Sequence, residues 1–367
     1  MIVEKLNVIN FRNIHQLSLS FNRPITILYG DNGQGKTNIV ESLYLLSNTT
    51  SFRTSYFKEM IKNEEDEAIV EAEVLSSKRK EKLKIALRKN GKVVSCNGIA
   101  ITKISEYLGK INAICFSPED VSLFKDSPSV RRQFLDKELS SLFPVYIKQL
   151  IAFKNVLEQR NAMLKETMDN TLLDVIDDKL IESSYDVFKR RNWLVEKVAL
   201  FATNIYRKIT NENQTIKITY HTFLNELDKD NYVNKAKLIY QSSLKKDKEI
   251  MYTNIGIHKD DFKVYLNDLE IDMYASQGQQ RLISLCMKLA VVEIVSKANK
   301  QEPLIILDDA FSELDAKKKE KLLDYVLNKQ QVFITCTDYK NIVYKDTHQK
   351  IMLLHVGDGK ILERRTI

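Results

Sequence analysis

The sequence has few of the residues that break, crosslink or anchor a chain. Its 367 residues include only 10 glycines, 5 prolines and 4 cysteines. So few glycines and prolines argue against a long flexible linker. The cysteines are far apart and form no C-x-x-C pair, which argues against a metal knuckle or a disulfide scaffold and fits a reducing cytosol. No apolar run reaches the ~18–20 residues that a membrane span needs. We therefore expect a cytoplasmic protein without membrane association.

Acidic residues are outnumbered, because 56 lysines and arginines face 49 aspartates and glutamates, for a net charge of +7. This balance suits a polyanionic partner such as nucleic acid, and it suits mere solubility equally well. For each basic cluster taken singly we expect a solvated surface rather than a phosphate contact. His258 has no second ligand at metal spacing, so we expect a structural hydrogen bond there. The basic clusters are Lys78-Arg79-Lys80, Arg131-Arg132, Lys189-Arg190-Arg191 and Lys245-Lys246.

The apolar residues change their spacing twice along the chain. The first ninety residues alternate as antiparallel strands do, for example at Leu17, Leu19 and Phe21. From Pro128 to about residue 210 the spacing is helical. Short buried-strand patterns then return near residues 304–307 and 332–334. The pattern indicates one α/β domain interrupted by a helical insertion, and it assigns residues 211–250 to no element.

A phosphate-binding motif follows the strand pattern at residues 25–29. Residues 30–37 read GDNGQGKT and match G-x-x-x-x-G-K-[ST], and a helical pattern comes next. A glycine-rich turn could match by chance, but the strand–loop–helix context argues against that. Lys36 is expected to reach the β- and γ-phosphates, and the Thr37 hydroxyl to bind Mg²⁺. The predicted ATP-binding residues are Gly30, Asp31, Asn32, Gly33, Gln34, Gly35, Lys36, Thr37 and Asn38.

A pair of aspartates ends the apolar run LIILDD at residues 304–309. A strand of this kind delivers a carboxylate to Mg²⁺ at its carboxyl end, so Asp308 is predicted to share the metal with Thr37. Asp309 is predicted to act in catalysis with Lys36, by polarising the attacking water. The alternative is a strand followed by a helix-capping aspartate.

Small polar residues precede a long amphipathic helix at residues 276–279, which are Ser276, Gln277, Gly278 and Gln279. Alone, this segment is typical of a helix cap. Its position 32 residues before Asp308 suggests more. The order of P-loop, S-Q-G-Q, LDD and SELD resembles that of ABC-type ATPases. The resemblance implies that these four residues complete the ATP site of a partner subunit, and that Ser312 and Asp315 belong to the D-loop.

One element of that resemblance is missing, because no histidine switch is evident after the next strand pattern. Thr335 or Thr337 holds the corresponding place. Either hydroxyl could bond the γ-phosphate, and the substitution implies slow hydrolysis.

Further stretches narrow the family. They are LNVINFRNI at the start, SFRT at 51–54, FSPEDVSLFKDSPSVRRQFLD at 116–136, LEQRNAMLK at 157–165 and GIHKDDF at 256–262. Together they resemble the RecF family of bacterial recombination-repair proteins over nearly the whole chain. Ile257 and Lys259 depart from the proline and arginine expected there.

The RecF resemblance implies an α/β fold, with an ABC-type P-loop ATPase head of a mixed sheet plus an antiparallel β-subdomain. The head is expected at residues 1–120 and 250–367, and an inserted helical lobe at 121–249. The resemblance also implies a weak, DNA-dependent ATPase that uses ATP and Mg²⁺, forms a homodimer on ATP and binds DNA at single-stranded gaps and junctions. It implies action with RecR and RecO to load RecA and support the SOS response.

Two other functions share part of this pattern. The ATPase subunit of a membrane transporter would have the P-loop, signature and LDD, but it does not predict the helical block. A small-molecule kinase explains the P-loop, but not the S-Q-G-Q segment before LDD.

Overall fold

The computed structural model describes residues 1–76, 79–166, 170–312, 314–327, 329, 331–342 and 351–367. The chain forms two compact units. The first unit comprises Met1–Val121, Phe201–Gln214 and Ser276–Ile367, and the second comprises Ser122–Leu200 and Thr215–Ala275. In the described part of the chain, no helix is both long and apolar enough to cross a lipid bilayer.

The secondary structure is mixed throughout the chain. The strands are β1 (Ile2–Phe11), β2 (Ile14–Ser20), β3 (Ile25–Tyr29), β4 (Glu67–Ser76), β5 (Arg79–Arg88), β6 (Gly91–Cys96), β7 (Ile99–Ala100), β8 (Ala113–Phe116), β9 (Ile216–His221), β10 (Asp261–Leu266), β11 (Leu269–Glu270), β12 (Leu304–Asp308), β13 (Val332–Cys336), β14 (Ile351–Gly357) and β15 (Lys360–Thr366). The helices are α1 (Lys36–Asn48), α2 (Phe57–Met60), α3 (Ile104–Tyr107), α4 (Ser122–Lys125), α5 (Pro128–Leu142), α6 (Pro144–Lys165), α7 (Asn170–Thr210), α8 (Lys229–Ile250), α9 (Ile271–Tyr274), α10 (Gln277–Asn299) and α11 (Ala316–Leu327), with 3₁₀ turns at Pro118–Val121, Ile257–Lys259 and Tyr339–Asn341.

A mixed sheet positions the motif-bearing loops of the first unit at one edge. Its strand order is β15-β14-β3-β13-β12-β8, in which the five strands from β14 to β8 are parallel and β15 is antiparallel to β14. Strands β12 and β13 are buried at every residue, as the short apolar runs predict for parallel strands covered on both faces. Because the strands are parallel, the loops after β3, β8, β12 and β13 all leave from the same edge.

An antiparallel sheet also contributes to the first unit's core, in the order β2-β1-β4-β5-β6-β7. Its strands alternate as the sequence predicts, with Val70, Ala72 and Val74 buried. Helix α1 contacts strands of both sheets, and it is buried over almost all of its circumference. A helix with apolar residues on all sides is typical of such a sandwiched position.

The second unit contains long helices and a small antiparallel sheet in the order β11-β10-β9. Helices α5 and α6 and the start of α7 occupy the predicted helical block. Residues 211–250, which the sequence left unassigned, form β9 and α8. Phe262 of β10 is 1% exposed and packs against Phe134 of α5.

The bounds of the two units differ from the predicted domain bounds. The second unit begins at Ser122, near the predicted 121, but it also includes residues 250–275. The reason is hydrogen bonding, because β10 pairs with β9 from Asp261 to Leu266. Conversely, Phe201–Gln214 belong to the first unit.

Candidate nucleotide site

A cavity of about 420 Å³ opens at the carboxyl edge of the mixed sheet. It lies where the loops after β3, β8, β12 and β13 meet. Its lining is rich in polar groups and contains most of the predicted site residues. The lining residues are Asn32, Gly33, Gln34, Gly35, Lys36, Thr37, Asn38, Arg53, Pro118, Glu119, Asp308, Asp309, Thr335, Cys336 and Thr337.

The glycines of the loop between β3 and α1 have backbone conformations that other residues rarely adopt. Gly30, Gly33 and Gly35 have φ angles of 142°, 79° and 103°. A Cβ on Gly30 would lie 2.4 Å from the Val356 carbonyl oxygen, and one on Gly35 would lie 2.8 Å from Asn13 Oδ1. The loop therefore needs glycine both for its turns and for close packing. It leads directly into α1, whose first N–H groups can bind an anion.

Lys36 is held at the centre of this loop. Its Nζ donates hydrogen bonds to the carbonyl oxygens of Gly30 and Asp31, each at 2.7 Å. Burial lowers the pKa of Lys36, and the nearby Cys336, Asp309 and Asp308 act in the opposite direction. The neighbouring acidic groups thus offset only part of the cost of burying this positive charge, which leaves the ammonium group able to bind phosphate oxygens.

Asp308, the last residue of β12, is hydrogen-bonded to both α1 and β13. Its Oδ1 accepts hydrogen bonds from Thr37 Oγ1 at 2.8 Å and from Thr335 Oγ1 at 2.7 Å. Burial raises the pKa of Asp308, while these two hydroxyl bonds lower it. A buried carboxylate beside a threonine hydroxyl is the hard oxygen donor set that Mg²⁺ prefers, so these residues fit that ion.

Asp309 has an unusual backbone conformation, with φ at 49°. Its N–H donates to Thr335 Oγ1 at 3.0 Å, and its carbonyl oxygen accepts a bond from Arg281 Nη2 at 3.3 Å. Left-handed conformations of non-glycine residues are costly and persist where surrounding contacts impose them, often at functional sites. The side chain of Asp309 lines the cavity.

The predicted signature residues do not line this cavity. Ser276 is the N-cap of α10, where it forms a capping box with Gln279. All four signature residues are exposed. Of the D-loop residues, Ser312 Oγ donates to the Asp309 carbonyl oxygen at 3.1 Å, and Asp315 accepts from the Lys318 N–H at 2.9 Å. The in-trans role of the signature stays a prediction.

The structure separates the two threonines that could replace the histidine switch. The Thr335 hydroxyl is engaged by both aspartates of the LDD segment. Thr337 is exposed at the cavity, and its carbonyl oxygen accepts a bond from the Gly30 N–H. Thr337 therefore has the hydroxyl that is available to a ligand.

Several residues of the site were not singled out by sequence. Arg53 lines the cavity and donates to Asn38 Oδ1 at 3.0 Å. Glu41 is fully buried, where it binds Arg12 and Arg53. Glu119 follows β8 and raises the pKa of Asp308. Arg53 and Glu119 lie in the SFRT and SPED stretches, so the family resemblance was the only available signal for them.

Three arginines in the basic clusters of the second unit are paired within the fold. Arg131 binds Asp261, Arg132 donates to the Asp260 carbonyl oxygen, and Arg191 binds Asp136. The expectation of solvated surface is therefore wrong for these three arginines. Lys245 and Lys246 are exposed as expected, and Lys78 lies outside the described residues. His258 Nε2 lies 2.9 Å from the Thr253 carbonyl oxygen, so the expected hydrogen bond is present.

Comparison with known proteins decides the family. Residues 2–125 match the family model described as the RecF/RecN/SMC N terminal domain. The DNA replication and repair protein RecF of Halothermothrix orenii is 35% identical over 378 residues, which cover the whole of both chains. This chain belongs to the RecF family. The resemblance predicted from the sequence is confirmed.

The solved structures agree with the RecF assignment. The recombination mediator protein RecF with ATP, described in the RecFOR pathway, is 31% identical, with a TM-score of 0.89 and coverage of 99% of each chain. The Smc head domain from Pyrococcus furiosus shares the fold alone, with 16% identity, a TM-score of 0.56, and coverage of 100% of this chain and 96% of that chain. The predicted α/β fold with an ABC-type ATPase head is thereby confirmed.

Proposed function

We propose that the chain binds ATP and Mg²⁺ in the cavity of the first unit and uses ATP as a switch for DNA binding in recombinational repair and replication. One observation supports this above all others. Thr37 of the P-loop and Thr335 of β13 both bind the same oxygen of Asp308, beside the ammonium group of Lys36. A P-loop hydroxyl and a strand-end carboxylate so joined are the arrangement that nucleotide-dependent ATPases need.

Each side chain has a role in this proposal. Lys36 binds the β- and γ-phosphates, Thr37 and Asp308 hold Mg²⁺, and the loop N–H groups bind phosphate oxygens. The metal ion supplies charge neutralisation when bound. Asp309 orients and deprotonates water, and the Thr337 hydroxyl bonds the γ-phosphate. The ATPase activity is weak and DNA-dependent in this proposal.

The signature supports an ATP-dependent homodimer. Ser276, Gln277, Gly278 and Gln279 are exposed at the start of α10, where N–H groups and the positive end of the helix dipole favour an anion. In the dimer, this segment binds the γ-phosphate held by the partner's P-loop, and Ser312 and Asp315 lie at the same interface. ATP then joins two heads.

The relatives supply the cellular setting. They are described as DNA replication and repair proteins and as a recombination mediator in the RecFOR pathway. We propose that this chain likewise acts in the cytoplasm at single-stranded gaps and junctions, with RecO and RecR as partners, to load RecA and support the SOS response. The net charge of +7 suits the DNA partner.

A measurement of size and DNA retention tests this function. Wild-type protein is mixed with gapped DNA with and without ATP and Mg²⁺, and Lys36→Ala is the control. We expect ATP to convert wild type to a dimer and to increase DNA retention, and to change neither property of Lys36→Ala. Retention should fall linearly with salt on a log–log plot, with little base preference. Equal retention by wild type with and without ATP would contradict the switch.

A further inference from the structure

The outer side of the P-loop is held by the last hairpin of the chain. Gln34 Oε1 accepts a hydrogen bond from the Asp358 N–H at 2.7 Å. The carbonyl oxygen of Gln34 accepts a second bond from the Gly359 N–H at 2.9 Å. Two successive N–H groups of the β14–β15 turn thus hold both the side chain and the backbone of one P-loop residue.

The turn has the conformation that this contact requires. Asp358 and Gly359 have φ angles of 48° and 69°, and they lie between the paired residues Gly357 and Lys360. Positive φ at both central residues is the mark of a type I′ hairpin turn, for which Asp-Gly is a preferred sequence. The hairpin therefore presents its two N–H groups in a fixed direction.

The turn also packs closely against the turn between β1 and β2. A Cβ on Gly359 would lie 2.8 Å from the Asn13 carbonyl oxygen. Asn13 in turn accepts a bond from Asn38 Nδ2 at 2.8 Å and lies against Gly35. The P-loop is thus held from outside by two hairpin turns, one at Asn13 and one at Asp358 and Gly359.

We propose that Gln34 is a positioning residue, and that the β14–β15 hairpin keeps the P-loop in its ATP-binding conformation through it. Gln34 has glycine on both sides, and glycines give a loop many alternative conformations. The apparent dissociation constant rises in proportion as the binding-competent fraction falls. The Gln34 side chain therefore affects the affinity for ATP by positioning the P-loop, and not by binding the phosphates itself. This inference rests on the proposed ATP site.

Calorimetry with Gln34→Ala tests the contact. A net hydrogen bond is worth about 0.5–1.5 kcal/mol, so we expect ATP affinity to fall about 2- to 13-fold. KM for ATP should rise while kcat stays near wild type. The unfolding midpoint of the nucleotide-free protein should stay within about 2 °C of wild type, because the bond is local. Lys360→Ala is the matched control, since it changes an exposed side chain next to the same turn.

A second variant approaches the contact from the hairpin. Gly359→Ala forces the turn away from Asn13, and it should weaken ATP binding by a similar factor. If both variants act through one contact, the double variant should lose little more than either single variant. If the losses of ATP affinity multiply in the double variant, the hairpin does not act through Gln34. Wild-type ATP affinity in Gln34→Ala would also overturn the proposal. So would losses of affinity that only follow a lowered unfolding midpoint. Wild-type protein that binds no ATP would overturn the ATP site as well, which separates the two failures.

Discussion

Two buried cations, one in each unit, are held in different ways. In the second unit, Arg160 is fully buried, and its guanidinium group binds Asp177 and Asp247 at 2.5 and 2.7 Å. In the first unit, Lys36 bonds two carbonyl oxygens and forms no salt bridge with any residue in the described ranges. The charge of a buried cation that is paired with carboxylates is already neutralised within the fold. A buried cation that is held only by carbonyl oxygens can still bind an anionic ligand.

The same contrast explains the family motifs. Arg160 and Asn161 of the LEQRNAMLK stretch belong to one hydrogen-bonded network, since both bind Thr253. Asp260 and Asp261 of GIHKDDF receive bonds from Tyr220 and Arg131. These motifs build the second unit, whereas residues 32–37 of GDNGQGKT and both aspartates of LDD line an open cavity. A motif can therefore be specific for a family without touching a ligand.

Removing the proposed general base should have the largest effect. General-base catalysis contributes ~10²–10⁴-fold, so Asp309→Asn should lose that factor in kcat and keep ATP binding. ATP would then persist between two heads, and the variant should release DNA more slowly than wild type after an ATP chase. The measurements are steady-state hydrolysis, ATP affinity and the DNA dissociation rate. Equal DNA release rates, with hydrolysis abolished, would show that ATP turnover does not time DNA release.

Breaking the buried charge network should cost stability and not ATP affinity. Arg160→Met leaves Asp177 and Asp247 without their cation, which should lower the free energy of unfolding by about 3–5 kcal/mol. The control is Lys237→Met, which breaks an exposed pair with Asp178 and should cost less than about 1 kcal/mol. Urea unfolding measures both. A similar small loss in the two variants would contradict the structural role of Arg160.

The signature should act on assembly alone. Ser276→Arg should leave ATP affinity unchanged, because Ser276 does not line the cavity of its own chain. It should block the ATP-dependent dimer by placing a bulky cation where the partner's γ-phosphate is expected, which weakens dimerisation at least about 10-fold, or ~1.4 kcal/mol. Sedimentation with ATP and Mg²⁺ is the measurement. A variant that still dimerises would rule out the two-headed ATP sandwich.

The sequence predicted those parts of the site that local pattern determines. The P-loop needs three glycines with positive φ between a strand and a helix, and that demand is visible as GDNGQGKT. The LDD aspartates could be placed because parallel strands end at one edge of a sheet. The helical block was equally visible, because its apolar spacing is local.

Contacts between distant segments could not be predicted in this way. The Asp358 N–H that binds Gln34 comes from a turn 324 residues away, and nothing in the spacing of either segment indicates the other. The bounds of the two compact units differ from the predicted domain bounds for the same reason, since β10 pairs with β9 and belongs to the second unit. The partners of arginine residues are also set by tertiary structure. In the sequence, Arg191 and Lys245 are both members of short basic clusters, but in the structure only Arg191 is buried.

The last prediction concerns pH and the GIHKDDF loop. Burial lowers the pKa of His258 to about 4, and the positive charges of Lys259, Arg132 and Arg160 act in the same direction. Its Nε2 faces the Thr253 carbonyl oxygen and must carry the proton of the neutral ring. An added proton would enter at Nδ1, a buried atom that has no hydrogen-bond partner among the described residues. Protonation therefore opposes folding. The pKa of His258 is lower in the folded than in the unfolded chain. The folded state is therefore most stable above about pH 6.5, and it loses this stability as the pH falls towards 4.

His258→Gln should remove this dependence, because an amide can donate to Thr253 without titrating. Between pH 7 and pH 5, wild type should lose about 1–2 kcal/mol of unfolding free energy more than the variant does. Urea unfolding at several pH values measures the difference, with exposed His221→Gln as the control. Parallel pH profiles of wild type and His258→Gln would show that protonation of His258 does not affect the free energy of unfolding.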